Sequence, residues 1–188
     1  MFVVFDVVQR WHPFQLQPDL PPGMPWMDFA RAKFGGGERL HEMQRHMRTV
    51  GAPEGIDFRF DLMPTAPNTF DAHRLLHWAG TLGRSQELAL KQALLRAYFT
   101  DDLDVSSHEV LADAAATAGL DRDEALRVLG SDRHAADVRA REQLYQQRGI
   151  SAVPSVIIND RHLIQGGQPV ELFEQALRQI AAEGPATG

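Results

Sequence analysis

No cysteine occurs among the 188 residues. Its absence excludes disulfides, thiolate nucleophiles, zinc–cysteine sites and iron–sulfur clusters, because each needs at least one thiol. A basic excess is missing too. Nineteen Lys and Arg stand against twenty-five Asp and Glu, a formal charge of −6, so the field that concentrates polyanions is lacking and nucleic acid is not an expected partner. Long apolar runs are short of what a membrane requires. The longest near the start, Met1 to Val8, is broken by Asp6 and preceded by no basic segment, which fits neither a signal peptide nor a membrane span. The expectation is a cytoplasmic protein without a membrane partner. What is present, 44% hydrophobic and 23% charged residues, is the composition of an ordinary globular domain, and the length suits one domain or one domain with an insertion.

Phe2, Val3, Val4, Phe5, Val7 and Val8 form a β-branched and aromatic run, apolar on both faces, that predicts a strand buried in a sheet. Arg10 to Leu16 continues it. Pro18, Pro21, Pro22, Gly23 and Pro25 then end the first element, since proline at that density supports neither helix nor interior strand. Helix follows helix from Trp26 to Gln147. Trp26 to Phe34 stops at Gly35-Gly36-Gly37, and Glu38 to Val50 stops at Gly51. Asp57 to Leu62 is a short extended stretch closed by Pro64. Thr69 is placed to cap a helix through Trp78 and Leu82, and Ser85 to cap Gln86 to Phe99. Ser106 with Glu109, and Asp121 with Glu124, have the spacing of capping boxes, and a last helix of the series runs from Ser131 to Gln147. Two short apolar runs around Asn159-Asp160 read as a β-hairpin, because both residues tolerate positive φ. Gly166-Gly167-Gln168-Pro169 opens a final helix with Leu172, Phe173, Ala176, Leu177 and Ile180 on one face.

Few motifs carry chemistry by themselves. Val153-Pro154 before the hairpin is either a loop terminator or a cis proline that turns the Val153 backbone outward, where it can pair with an extended peptide or thiol ligand. His73 and His77 project from one face of a helix, but two ligands are too few for zinc and the sequence places no third. With Phe70 they read as the flank of a packed helix; no metal is expected. Glu42 with His46 has the same spacing and the same weakness, and His41 adds nothing more specific. The triple glycine at 35–37 lacks the Lys-Ser/Thr of a phosphate loop and reads as a helix stop. No serine sits in a G-x-S-x-G elbow, so hydrolase chemistry has no support.

Four stretches in order, Pro13 to Asp19 (PFQLQPD), Pro67 to Trp78 (PNTFDAHRLLHW), Gly149 to Pro154 (GISAVP) and Gly166 to Pro169 (GGQP), resemble the DsbA-like thioredoxin-fold family. Within it they are similar to the branch of FrnE-type oxidoreductases and 2-hydroxychromene-2-carboxylate isomerases, over nearly all of Pro13 to Ala182. The resemblance implies a thioredoxin domain carrying a large helical insertion, and a cis Pro154. It also implies that Val153 and Pro154 present backbone to a thiol or peptide ligand, with Asn68, Gly167 and Gln168 beside the same groove.

The departure lies near the start. Family members run from a first strand into Cys-Pro-Trp-Cys on a helix and only later reach a second strand ending like Pro13-Phe-Gln-Leu16, whereas here Gln9-Arg10-Trp11-His12 alone separates the two. Without a gap, Gln9 and His12 stand for the cysteines around Trp11; with a gap, the whole crossover is missing. Either way thiol–disulfide exchange is lost, since the attacking species is a thiolate. The isomerase branch uses a serine and bound glutathione, and no serine precedes Ser85. Parallel neighbours need a crossover of about a dozen residues or more, so three arrangements stay open. Phe2 to Leu16 forms one long strand, the N-terminal segment exchanges with a second protomer to give a homodimer, or the chain carries a deletion.

The resulting expectation is an α/β, thioredoxin-like fold with a large all-helical insertion, incomplete at its N-terminal βα unit. Residues 1–20 and 150–184 would form the thioredoxin-like part, 24–149 the insertion and 185–188 a disordered tail. The functional expectation is a family member inactive in exchange that keeps a thiol- or peptide-binding groove. The alternatives are a glutathione-dependent isomerase or transferase, with His12 as its catalytic candidate and glutathione its only implied cofactor, and a non-catalytic dimerising protein.

Overall fold

A computed structural model describes residues 7–21, 23–35, 37–60 and 65–183. Most of the strand expected at Phe2 to Val8, part of the stretch from Asp57 to Leu62 with its closing Pro64, and the tail at 185–188 lie outside them. The helices are α1 (Trp26–Phe34), α2 (Glu38–Gly51) with a 3-10 turn at Ala52–Glu54, α3 (Phe70–Leu82), α4 (Arg84–Phe99), α5 (His108–Thr117), α6 (Arg122–Leu129), α7 (Ala135–Gln147) and α8 (Val170–Glu183). Strands β1 (Ser155–Ile158) and β2 (His162–Gln165) pair antiparallel between α7 and α8, with Ser155 opposite Gln165 and Ile158 opposite His162. Asn159 and Asp160 take φ of 53° and 57°, and Arg161 N–H closes the turn on Ile158 O at 3.2 Å. That is the chemistry the Asn-Asp pair predicts.

Helix starts depart from expectation where side chains found other partners. Asp121 caps α6 by accepting Glu124 N–H at 2.7 Å, as its spacing requires. Ser106 does not cap α5; its hydroxyl donates to Asp104 at 2.6 Å and the cap position falls to Ser107. Thr69 stands at the α3 cap without a side-chain bond, and Asn68 Oδ1 accepts Phe70 N–H at 3.0 Å instead. Helix α4 begins at Arg84 behind Gly83, two residues earlier than a Ser85 cap allows, and α7 begins at Ala135 behind His134.

The larger core lies among α3, α4, α5 and α6, where Leu75, Leu90, Leu111 and Val128 are fully buried. Alanines at 112, 114, 115 and 125 let the α5 and α6 backbones approach closely. A second core joins Trp26, Ala30, Leu40 and Ala66, and Tyr98 packs against both. No residue of α8 is buried; Phe173, Ala176, Leu177 and Ile180 on its apolar face are half-buried. No helix among the described residues is long and apolar enough to cross a membrane.

The expected continuation of the first strand through Leu16 is not observed. Residues 7–15 form neither helix nor strand, and Val7 and Val8 are exposed. The physical reason is visible at Gln15, whose N–H is taken by a side chain, Glu142, rather than by a neighbouring strand.

Candidate functional site

The irregular segment from Arg10 to Gln17 is held across the helices by polar contacts. Gln15 is buried, its N–H donates to Glu142 Oε1 at 3.0 Å, and its Nε2 donates to Asn68 Oδ1 at 3.1 Å. The ring of His73 on α3 is hydrogen-bonded to the Phe14 backbone, and burial lowers its pKa to about 4. The Gln15 N–H, the Gln15 side-chain amide and the His73 ring thus each have a partner, as burial demands.

Beneath the segment lies a cleft of about 980 Å³ bounded by α1, α3 and α4. Its walls are apolar, with Phe14, Trp26, Phe29, Leu76 and Leu94 among them. Its charges are unbalanced: Arg10, Lys33, Arg84, Lys91 and Arg141 face a single carboxylate, Glu87. Lys91 places its ammonium 2.9 Å from the Trp11 ring centroid, where the π face attracts a cation. Burial lowers Lys91 to about 8 against the pull of Glu87, and burial raises Glu87 against Lys91 and Arg141. His12 packs tilted on Tyr145 at 4.7 Å; burial first, then Arg141 and Arg10, hold it below its ordinary value. Such a cavity suits an apolar body with a negative end, because low-dielectric walls strengthen the attraction of each cation.

The residues singled out from the sequence fall into three places. Val153 and His12 both line the cleft. Pro154, joined to Val153 by a cis bond, accepts Gly166 N–H at 2.8 Å, which ties it to the Gly-Gly turn. There Gly167 is open to solvent, while Gln168 Nε2 donates to Gln165 O at 2.9 Å. Asn68 stands apart, in a polar recess with Gln15, Arg139 and Glu142, where it bonds Gln15 and caps α3. His73 and His77 diverge: His73 turns to Phe14, and His77 turns to His134 and Asp137. Trp11, Lys91, Glu87 and Arg141 were not anticipated. The Glu87–Lys91 spacing of one helical turn was a legible signal; the pairing of Lys91 with Trp11 had none.

The DSBA-like thioredoxin domain family matches residues 5–178. A probable DsbA oxidoreductase from Streptomyces coelicolor superposes with a TM-score of 0.84 at 32% identity, over 93% of this chain and 76% of that one. A 2-hydroxychromene-2-carboxylate isomerase superposes with a TM-score of 0.70 at 15% identity, over 93% of this chain and 81% of that one, a likeness of fold. Comparison with curated proteins finds no match.

Proposed function

The chain belongs to the DsbA-like thioredoxin domain family, and from that premise we propose that it is a ligand-binding member whose cleft takes an apolar thiol or peptide ligand carrying a carboxylate. Without cysteine it has no thiolate to attack a disulfide. The observation that carries the reading is the apolar cleft with five cationic side chains and one carboxylate. Val153, an exposed residue of its lining, stands next to Pro154 and would offer its backbone to the ligand. The test uses S-hexylglutathione, which joins an alkyl thioether to carboxylates. It is expected to raise the melting temperature, the stabilisation being about 2.7 kcal/mol at a hundredfold excess over Kd, and to perturb the fluorescence of Trp11 and Trp26 in the cleft wall. No shift in either signal overturns the reading.

His12 supports a second reading, a glutathione-dependent isomerase or transferase, because its imidazole is held below its ordinary value at the cleft margin and so stays available as a base near neutral pH. The two readings separate on His12→Ala. That variant keeps S-hexylglutathione binding under both, and under the second alone it loses glutathione-dependent turnover.

A further inference from the structure

His77 on α3, His134 at the N-terminal cap of α7 and Asp137 in the first turn of α7 converge, so that one ligand atom from each lies within 4.8 Å of the others. Asp137 Oδ2 is 3.7 Å from His77 Nε2 and 3.7 Å from His134 Nδ1. Those distances exceed a hydrogen bond, and the imidazole rings meet tilted at 5.1 Å. The three polar side chains crowd together without satisfying one another. The 3.7 Å edge uses His134 Nδ1; Nε2, on the other side of the same ring, is buried with no hydrogen-bond partner among the described residues.

The surrounding chain holds His134 in this position. Arg74, only 5% exposed, donates to the carbonyl of Arg133 at 3.0 Å, to that of Val128 at 2.7 Å and to that of Ser131. Arg74 and His77 share α3, so the helix that presents one imidazole also pins the loop that presents the other. His134 itself sits at φ 62°, ψ 2°.

We infer that His77, His134 and Asp137 form a binding site for a divalent transition metal, of which zinc is the reference. Tetrahedral zinc ligands at about 2.1 Å stand about 3.4 Å apart. The two 3.7 Å edges are already near that value, and the third lies within 4.8 Å. Three protein ligands leave one position for water. Two imidazoles and a carboxylate favour zinc, nickel or copper over magnesium and calcium, which take oxygen shells. The positive charge of Arg141 also acts on His77. That charge opposes any bound cation alike, so the coordinate bonds of the three ligands have to outweigh it.

The test takes the full chain, stripped with EDTA, and titrates it with zinc chloride by calorimetry and with cobalt(II) chloride by visible absorption. One equivalent is expected, with the intense d–d bands of a four-coordinate cobalt centre. His77→Phe keeps the ring, and His134→Asn keeps a residue that tolerates positive φ. Each is expected to weaken zinc about tenfold or more. His46→Ala, which removes the competing Glu42–His46 pair on α2, leaves binding unchanged. No saturable binding to the wild type, binding that survives in the double variant H77F/H134N, or loss of binding with H46A overturns the site. Should a variant melt early, histidine NMR of the wild type gives the same reading. Zinc then shifts the His77 and His134 signals and spares His46, and the reverse pattern overturns the assignment.

Discussion

The carboxylate of Glu142, buried on α7, accepts the backbone N–H of Gln15 at 3.0 Å across 127 positions of sequence. This one acceptor takes the place of a strand partner for the segment that roofs the cleft. Burial raises the Glu142 carboxyl above its ordinary value, opposed by the Gln15 N–H and by Arg139. Glu142→Leu leaves the Gln15 N–H buried without an acceptor, a cost of about 1–3 kcal/mol. The expected outcome is a lower urea midpoint together with weaker S-hexylglutathione binding. An unchanged midpoint would show that the segment is anchored elsewhere.

His73 predicts a stability that falls with acid. Its pKa is about 4 in the fold against 6.5 ordinarily, chiefly through burial and then Lys91, with the Phe14 bond opposing. The native state therefore binds fewer protons than the unfolded chain between those values, and stability rises with pH. The contribution is fully present above 6.5 and is lost as pH falls towards 4, about 3 kcal/mol at its limit. His12 and His77 are also lowered and add in the same direction, while the raised Glu87 and Glu142 favour their neutral forms and act oppositely. Urea midpoints at pH 7.5 and pH 5, compared between wild type and His73→Phe, isolate the histidine. The variant should show the shallower dependence.

Two glycines should respond to alanine with opposite signs. A Cβ on Gly51 would stand 2.6 Å and 2.9 Å from the ring of Phe58. That ring is buried and braced, stacked on Phe60 at 5.3 Å and edge-on to Phe99 at 5.4 Å. Gly51→Ala is expected to cost about 1–3 kcal/mol by overpacking. On Gly80, inside α3, a Cβ first meets the end of the Glu87 side chain at 3.4 Å. Gly80→Ala should stabilise by about 1 kcal/mol through helix propensity. Thermal melts of the two variants decide both signs.

Lys91 sets the pH range of the proposed ligand. With its pKa at about 8, the ammonium is charged at neutral pH and discharges above it. Affinity for S-hexylglutathione should weaken between pH 7 and pH 9 more steeply in wild type than in Lys91→Met, since titration of the ligand itself is common to both. Equal slopes would remove Lys91 from the binding of the carboxylate.

Much of the fold is written locally. Gly35 ends α1 where the sequence has it, Asp121 caps α6 on Glu124, and Asn159-Asp160 turns the hairpin, whereas the stop expected at Gly51 falls instead at Gly55, because Gly51 keeps helical φ and ψ and the chain runs on through the 3-10 turn. The resemblance of Gly149 to Pro154 to its family foretold the cis bond, and the missing cysteine alone removes thiol–disulfide exchange. These features act within a few positions of the chain, through φ preference, capping bonds and periodicity, so the order of residues suffices to state them. The cleft is another matter. Trp11 against Lys91, Gln15 on Glu142, and His77 between His134 and Asp137 are meetings of distant segments. Each depends on how α3, α4 and α7 pack, and no local periodicity encodes the partner. The amino-acid order thus determined the elements and the chemistry that is lost. The tertiary structure alone decided which charges share a low-dielectric space, because only packing sets distance and burial.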